Sequence, residues 1–231
     1  MKTIIIFIGL IISFNLFAMD NIHINELEKL NNAQLKERLS QILRDTHRPI
    51  SYKEAIESLF NLLDRHQGSL CGIYSPKECI STEGVPDHKI MNVEHSWPQS
   101  AGAKGTAKSD LHHLFIATNA TNSMRSDLPF CDVKETLWKN ESSKRGYSIK
   151  KDHCFEPPEN VKGNIARALF YFAIRYKMEI DNNQETFLKM WHEIDPVDLN
   201  EEDREMKIST LQNNHNIFVH HPELVRMIKD F

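Results

Sequence analysis

The side chains best suited to chemistry gather in one stretch of the chain: Asn92, Glu94, His95, Asp110, His112, His113, Asn119, Asn122 and Arg125. Glu94 and His95 are adjacent, so at a strand end both reach the same rim while their side chains leave on different sides. A hard divalent cation prefers oxygen ligands and keeps several waters, so Glu94 plus one amide oxygen would suffice to hold it. An imidazole beside such an ion accepts a proton from water without binding the ion itself. Arg125 would offer a fixed cation to an anionic transition state. Those roles together match phosphodiester hydrolysis, which needs an aligned water, neutralised phosphate charge and help for the leaving oxygen. Singly, each residue has a plainer explanation. A lone His is more often surface or core, and an Asn near a helix start is usually a cap.

These residues need a scaffold. Ile90–Glu94 reads as a short strand, 98–108 as a polar Gly-containing loop, and His113–Ala117 as a second apolar strand. Thr118 to Met124 then reads as a short helix with Thr118 or Asn119 as its cap. Around this unit the pattern is helical. Leu27, Leu30, Leu35, Leu39 and Leu43 trace one amphipathic helix, and Ala55 to Leu63 a second, opened by the capping box Ser51-Tyr-Lys-Glu54. Residues 67–90, with three Gly and two Pro, read as loop. Val161 to Tyr176 forms a strong helical stripe, followed by helices at Phe187–Ile194 and Glu201–Leu211 and a last short one opened by Pro222. The expected fold class is α+β: a mostly helical single domain around a small hairpin-plus-helix unit.

Composition narrows the function. With 231 residues, 40% apolar and 26% charged, the chain is an ordinary globular one. A net charge of −4 excludes a uniformly basic domain that grips nucleic acid everywhere, so any such role must be local. Lys2, the apolar run Ile4 to Phe17 and the small Ala18 predict a secretory signal peptide over 1–18, leaving a mature domain over 19–231. The run is shorter than the roughly 20 residues of a spanning helix, and no later segment could span a bilayer. Export makes disulfides the expected state of Cys71, Cys79, Cys131 and Cys154, in one of three connectivities. A zinc site is the rival, but no pair has C-x-x-C spacing.

Val93-Glu-His-Ser-Trp-Pro98, then Asp110-Leu-His-His-Leu114, then Asn122-x-x-Arg125-Ser126 closely resemble the endonuclease I family of exported nucleases with a ββα-metal (His-metal finger) site. Phe155-Glu-Pro-Pro158, Gly163 to Arg167, Trp191-His192, Asp195 to Val197 and Asn213 to Phe218 are similar to later landmarks of that family. The resemblance implies a ββα-metal unit at about 90–126. It makes His95 the general base, Glu94 and Asn122 the ligands of one divalent ion, and Arg125 a phosphate contact. Asp110, His112, His113 and Asn119 would support the site or touch substrate. Mg²⁺ is the ion expected, with Ca²⁺ or Mn²⁺ as substitutes. The substrates implied are DNA and RNA, cleaved with little base preference because such enzymes read the backbone. The expected enzyme is a monomer in the periplasm or outside the cell. The alternative is an inactive exported metal- or nucleic-acid-binding module of the same fold; retention of Glu94, His95, Asn122 and Arg125 together argues against it. Departures at Lys108, Phe115-Ile116 and Ile217 leave that set intact.

Overall fold

The computed structural model describes residues 24–231; the expected signal peptide lies outside them. Helix α1 (Ile24–Leu27) precedes α2 (Asn32–Thr46). The leucine series expected as one helix is divided at Asn31, whose side chain accepts from the Gln34 N–H while Gln34 accepts from the Asn31 N–H. A reciprocal cap of this kind satisfies otherwise orphaned donors and starts a new helix. The expected box of Ser51 and Glu54 opens α3 (Tyr52–Ser58) in the same way, and the chain continues into a wide turn over Leu59–Leu63.

Residues 67–90 are not simply loop. They contribute to an antiparallel sheet of β1 (Arg65–His66), β2 (Ser69–Gly72) and β3 (Ser75–Ser81). Cys71 and Cys79 are cross-strand partners and form a disulfide. The Arg65 guanidinium donates to the carbonyls of Gly68, Thr82 and Gly84, tying the sheet's ends together. These long-range ties replace the hydrophobic alternation that would have announced strands.

The central unit follows the expected order. Strand β4 (Met91–His95) pairs antiparallel with β5 (Leu114–Thr118), placing Glu94 opposite Phe115 and His95 opposite Leu114. Thr118 caps α4 (Asn119–Arg125) by accepting from the Thr121 N–H. A further sheet, not anticipated, comprises β6 (Glu135–Lys139), β7 (Lys144–Tyr147) and β8 (His153–Glu156), and Cys131–Cys154 forms the second disulfide beside it.

Helix α5 (Lys162–Tyr176) is the core, buried on nearly every face from Ile165 to Ile174. A helix that is apolar all round has to be surrounded. Helices α6 (Asn182–Ile194), α7 (Leu199–Gln212), α8 (Ile217–His220) and α9 (Leu224–Met227) complete the chain. The class is α+β, with helices packed about three small antiparallel sheets. Among the described residues no helix is long and apolar enough to cross a membrane.

Candidate active site

Glu94 is buried near the end of β4, and its carboxylate is held from two directions. The Tyr74 hydroxyl donates to Oε1 at 2.8 Å, and Arg125 Nε lies 3.2 Å from the same oxygen as an ionic contact too poorly aligned for a hydrogen bond. Tyr74 arrives from the β2–β3 connection, which can approach closely because Gly72 has no side chain: a Cβ there would sit 2.8 Å from the Thr118 nitrogen. Burial pushes the Glu94 carboxyl up, while Arg125 and Tyr74 pull it back. Among the described residues no donor reaches Oε2, so one carboxylate oxygen is left over.

Asn122 is oriented by a chain of amides. Its Nδ2 donates to Asn92 Oδ1 at 2.6 Å and lies 3.3 Å from Val93 O, while Asn92 Nδ2 donates to Asn119 Oδ1 at 2.8 Å. With Asn122 Nδ2 committed to β4, its Oδ1 has no protein donor among the described residues. The site therefore offers two unpaired oxygens, one from the strand and one from the helix. That donor set fits a hard cation, which takes few protein ligands and keeps waters.

His95 leaves the strand on the other face. Its Nε2 lies 3.1 Å from Lys108 O. A carbonyl can only accept, so the ring proton is on Nε2 and Nδ1 carries the free lone pair. Burial pulls the imidazole down to about 4, against the opposing pull of the Lys108 carbonyl bond. At neutral pH it is a neutral acceptor. Tyr52 and His113 flank the ring at centroid distances of 5.8 and 5.5 Å.

Arg125 is not where a phosphate contact would be. It is 1% exposed, its Nη1 donates to Ser126 O and its Nη2 to Ser96 O, both at 2.7 Å, and its face covers Phe130. Ser126 takes φ +55°, a region non-glycine residues avoid, and so ends α4 beside the guanidinium it serves. All of Arg125's reach is spent inside the protein.

The second-strand motif is likewise interior. Asp110 is fully buried and receives Tyr171 and Tyr176 hydroxyls, the Gln212 amide and the His112 N–H. Burial would raise its carboxyl, but neighbouring histidines, His112 foremost, and the Gln212 bond hold it at about 2. His112 Nε2 donates to Asn214 O, and His113 Nε2 donates to Ala107 O at 2.7 Å with its ring edge on Phe172. His113 is fully buried and His112 only 4% exposed, and the Nε2 of each ring is committed to a backbone carbonyl. They position the turn from which Lys108 holds His95. Asn119 also acts through others, as the last acceptor of the amide chain. Of the cations near the third sheet, Lys144 pairs with Glu156 and Lys151 with Glu135, while Lys150 donates to Asn183 and Arg145 to His153. Sequence reasoning passed over Tyr74 and the Lys108 carbonyl, and left Asn92 without a role.

An antiparallel strand pair carrying a carboxylate and an imidazole, closed by a helix that adds an amide, defines the ββα class of site. The endonuclease I family model matches residues 31–223, and the chain belongs to that family. It is 33% identical over 212 residues to an extracellular ribonuclease of Bacillus subtilis (strain 168), covering 82% of this chain and 72% of that protein. It is 30% identical to endonuclease-1 of Buchnera aphidicola subsp. Acyrthosiphon pisum, covering 49% of this chain and 45% of the relative. It is 29% identical to an extracellular deoxyribonuclease of Aeromonas hydrophila, covering 58% and 62% respectively. The chain thus spans from about half to about three quarters of the length of these relatives.

Proposed function

We propose that this chain is an exported, cation-dependent endonuclease that hydrolyses phosphodiester bonds in DNA and RNA with little base preference. The observation that carries the reading is the free His95 Nδ1 at the end of β4, together with two oxygens that have no protein donor among the described residues, Glu94 Oε2 on the same strand and Asn122 Oδ1 on α4. His95 Nδ1 takes the proton from the attacking water, and Lys108 O holds the tautomer that makes this possible. Glu94 and Asn122 would hold one divalent ion, Mg²⁺ foremost, which when bound supplies positive charge against the phosphate. Tyr74 and Arg125 fix the Glu94 carboxylate, and Asn92 with Asn119 fixes the Asn122 amide. The relatives are named ribonuclease and deoxyribonuclease, which supports both substrates. Two disulfides and those relatives' extracellular naming support export.

The test is digestion of supercoiled plasmid and of RNA by purified protein, with Mg²⁺ or with EDTA. Both substrates should be degraded in Mg²⁺ and neither in EDTA, with rates that fall as salt rises. Intact plasmid and RNA in the presence of Mg²⁺, with the protein shown to be folded, would overturn the proposal.

A further inference from the structure

Far along the chain from the hairpin, one buried carboxylate sits between two imidazoles. Glu205 lies on α7, 3% exposed, with Oε1 2.9 Å from His215 Nδ1 and Oε2 2.5 Å from His220 Nε2. His215 comes from the turn after α7 and His220 from the end of α8. The rings stand nearly perpendicular, with centroids 4.9 Å apart. All three donor atoms lie within 4.8 Å of one another.

The surroundings are built to keep this geometry. The Asn216 N–H donates to Glu205 Oε1 at 3.0 Å and fixes the carboxylate. Asn216 also accepts from the Phe218 N–H and donates to Arg167 O, so the turn carrying His215 is anchored at both ends. The side chains of His215 and His220 keep 13% and 28% exposure, which leaves one side of the cluster open to water.

We propose that Glu205, His215 and His220 form a binding site for a borderline transition-metal ion, zinc foremost, separate from the hard-ion site of Glu94 and Asn122. Two imidazole nitrogens and one carboxylate oxygen, with an open fourth position, are a known zinc donor set. Imidazole selects zinc, copper or nickel over magnesium and calcium, so the two sites take different ions. Ligands of a tetrahedral zinc stand about 3.4 Å apart, given bonds of about 2.0–2.1 Å. The two carboxylate–imidazole spacings of 2.9 and 2.5 Å lie below that value and the whole set stays within 4.8 Å, so rotation of the partly exposed rings closes the difference. Binding replaces the Glu205 hydrogen bond at each ring nitrogen with the metal: a neutral ring then carries its proton on its other nitrogen, and a protonated ring releases one proton to solvent. The ion would clamp α7 to α8 across Asn214, the residue whose carbonyl receives His112.

The experiment uses chelator-stripped full-length mature protein, titrated with Zn²⁺ against a chromogenic zinc indicator and with Co²⁺ by visible absorption. Wild type and Glu94→Gln should both take up one high-affinity equivalent of zinc. His215→Ala and His220→Gln should weaken it by more than the roughly 10–100-fold that an outer-shell partner is worth. His220→Gln retains a donor for Glu205, and circular dichroism on each variant separates lost binding from lost folding. Absence of a tight equivalent in folded wild type would overturn the proposal. So would an equivalent that disappears in Glu94→Gln and persists in both histidine variants.

Discussion

Arg125 offers the sharpest test, because its residue type points to phosphate and its position points inward. Replacing it with Met keeps the length and the contact with Phe130 but strands the buried Glu94 carboxylate with Tyr74 alone. It also leaves Ser96 O and Ser126 O without their donors. Removing one partner of a buried ion pair costs about 3–5 kcal/mol, and the two carbonyls place Arg125→Met at the upper end. In a domain of this size that lowers Tm by roughly 10–20 °C. In a Glu94→Gln background no unpaired charge remains, and the same substitution should cost about 2–3 kcal/mol. The double-mutant cycle should therefore show a coupling of about 2 kcal/mol. Urea unfolding in EDTA measures all four proteins without a bound cation. If Arg125→Met unfolds within about 1 kcal/mol of wild type, and instead its nucleic-acid binding loses about one phosphate from the salt slope, the guanidinium reaches substrate and the argument from burial fails.

His95→Ala should lower turnover on plasmid by roughly 10²–10⁴-fold while calorimetric cation affinity stays close to wild type; the reverse pattern would make His95 a ligand. Asn92→Ala should weaken cation binding by roughly 10–100-fold with little change in unfolding, because it frees the Asn122 amide to rotate; unchanged affinity would exclude the amide chain as an orienting device. Asp110 titrates at about 2 in the folded protein, below its unfolded value near 4. Its stabilisation, about 3 kcal/mol, is therefore present above pH 4 and lost as pH falls through 2. Asp110→Asn should remove that part of the acid slope, and parallel stability–pH curves from pH 4 to 2 would show that Asp110 is not responsible.

Elements that depend on local pattern were legible in the sequence. The Ser51–Glu54 cap, the Val161–Tyr176 stripe and the β4–β5–α4 order all follow from periodicity or capping chemistry. The sheets at 65–81 and 135–156 were not. Strands β2 and β7 each carry a glycine where another strand comes close: a Cβ on Gly146 would meet Glu135 O. β3 shows mostly exposed polar residues. Such strands are held by disulfides and by pairing across the chain, and neither leaves a period of two for a reader to find. The split between α1 and α2 was missed for the opposite reason. A continuous leucine series outweighed a single asparagine that stops and restarts the helix.

The site divides along the same line. Residue types announced Glu94, His95, Asn122 and Arg125, but type does not give direction. Asn122 and Arg125 are three apart on α4 and share its face toward β4. That face meets the hairpin over its whole length, so the amide falls at the rim and the guanidinium beneath it. The groups that set the chemistry of His95 and Glu94 are less visible still. Tyr74 lies twenty positions before its carboxylate in a segment that reads as loop, and only the close approach allowed by Gly72 brings the two together. The Lys108 carbonyl fixes the His95 tautomer, yet a backbone acceptor has no letter of its own. Any residue at 108 would supply it, provided the turn from 105 to 113 keeps its shape. That turn is kept by Asp110, His112 and His113. The three residues named from the motif as site support earn that description through a carbonyl they do not contain.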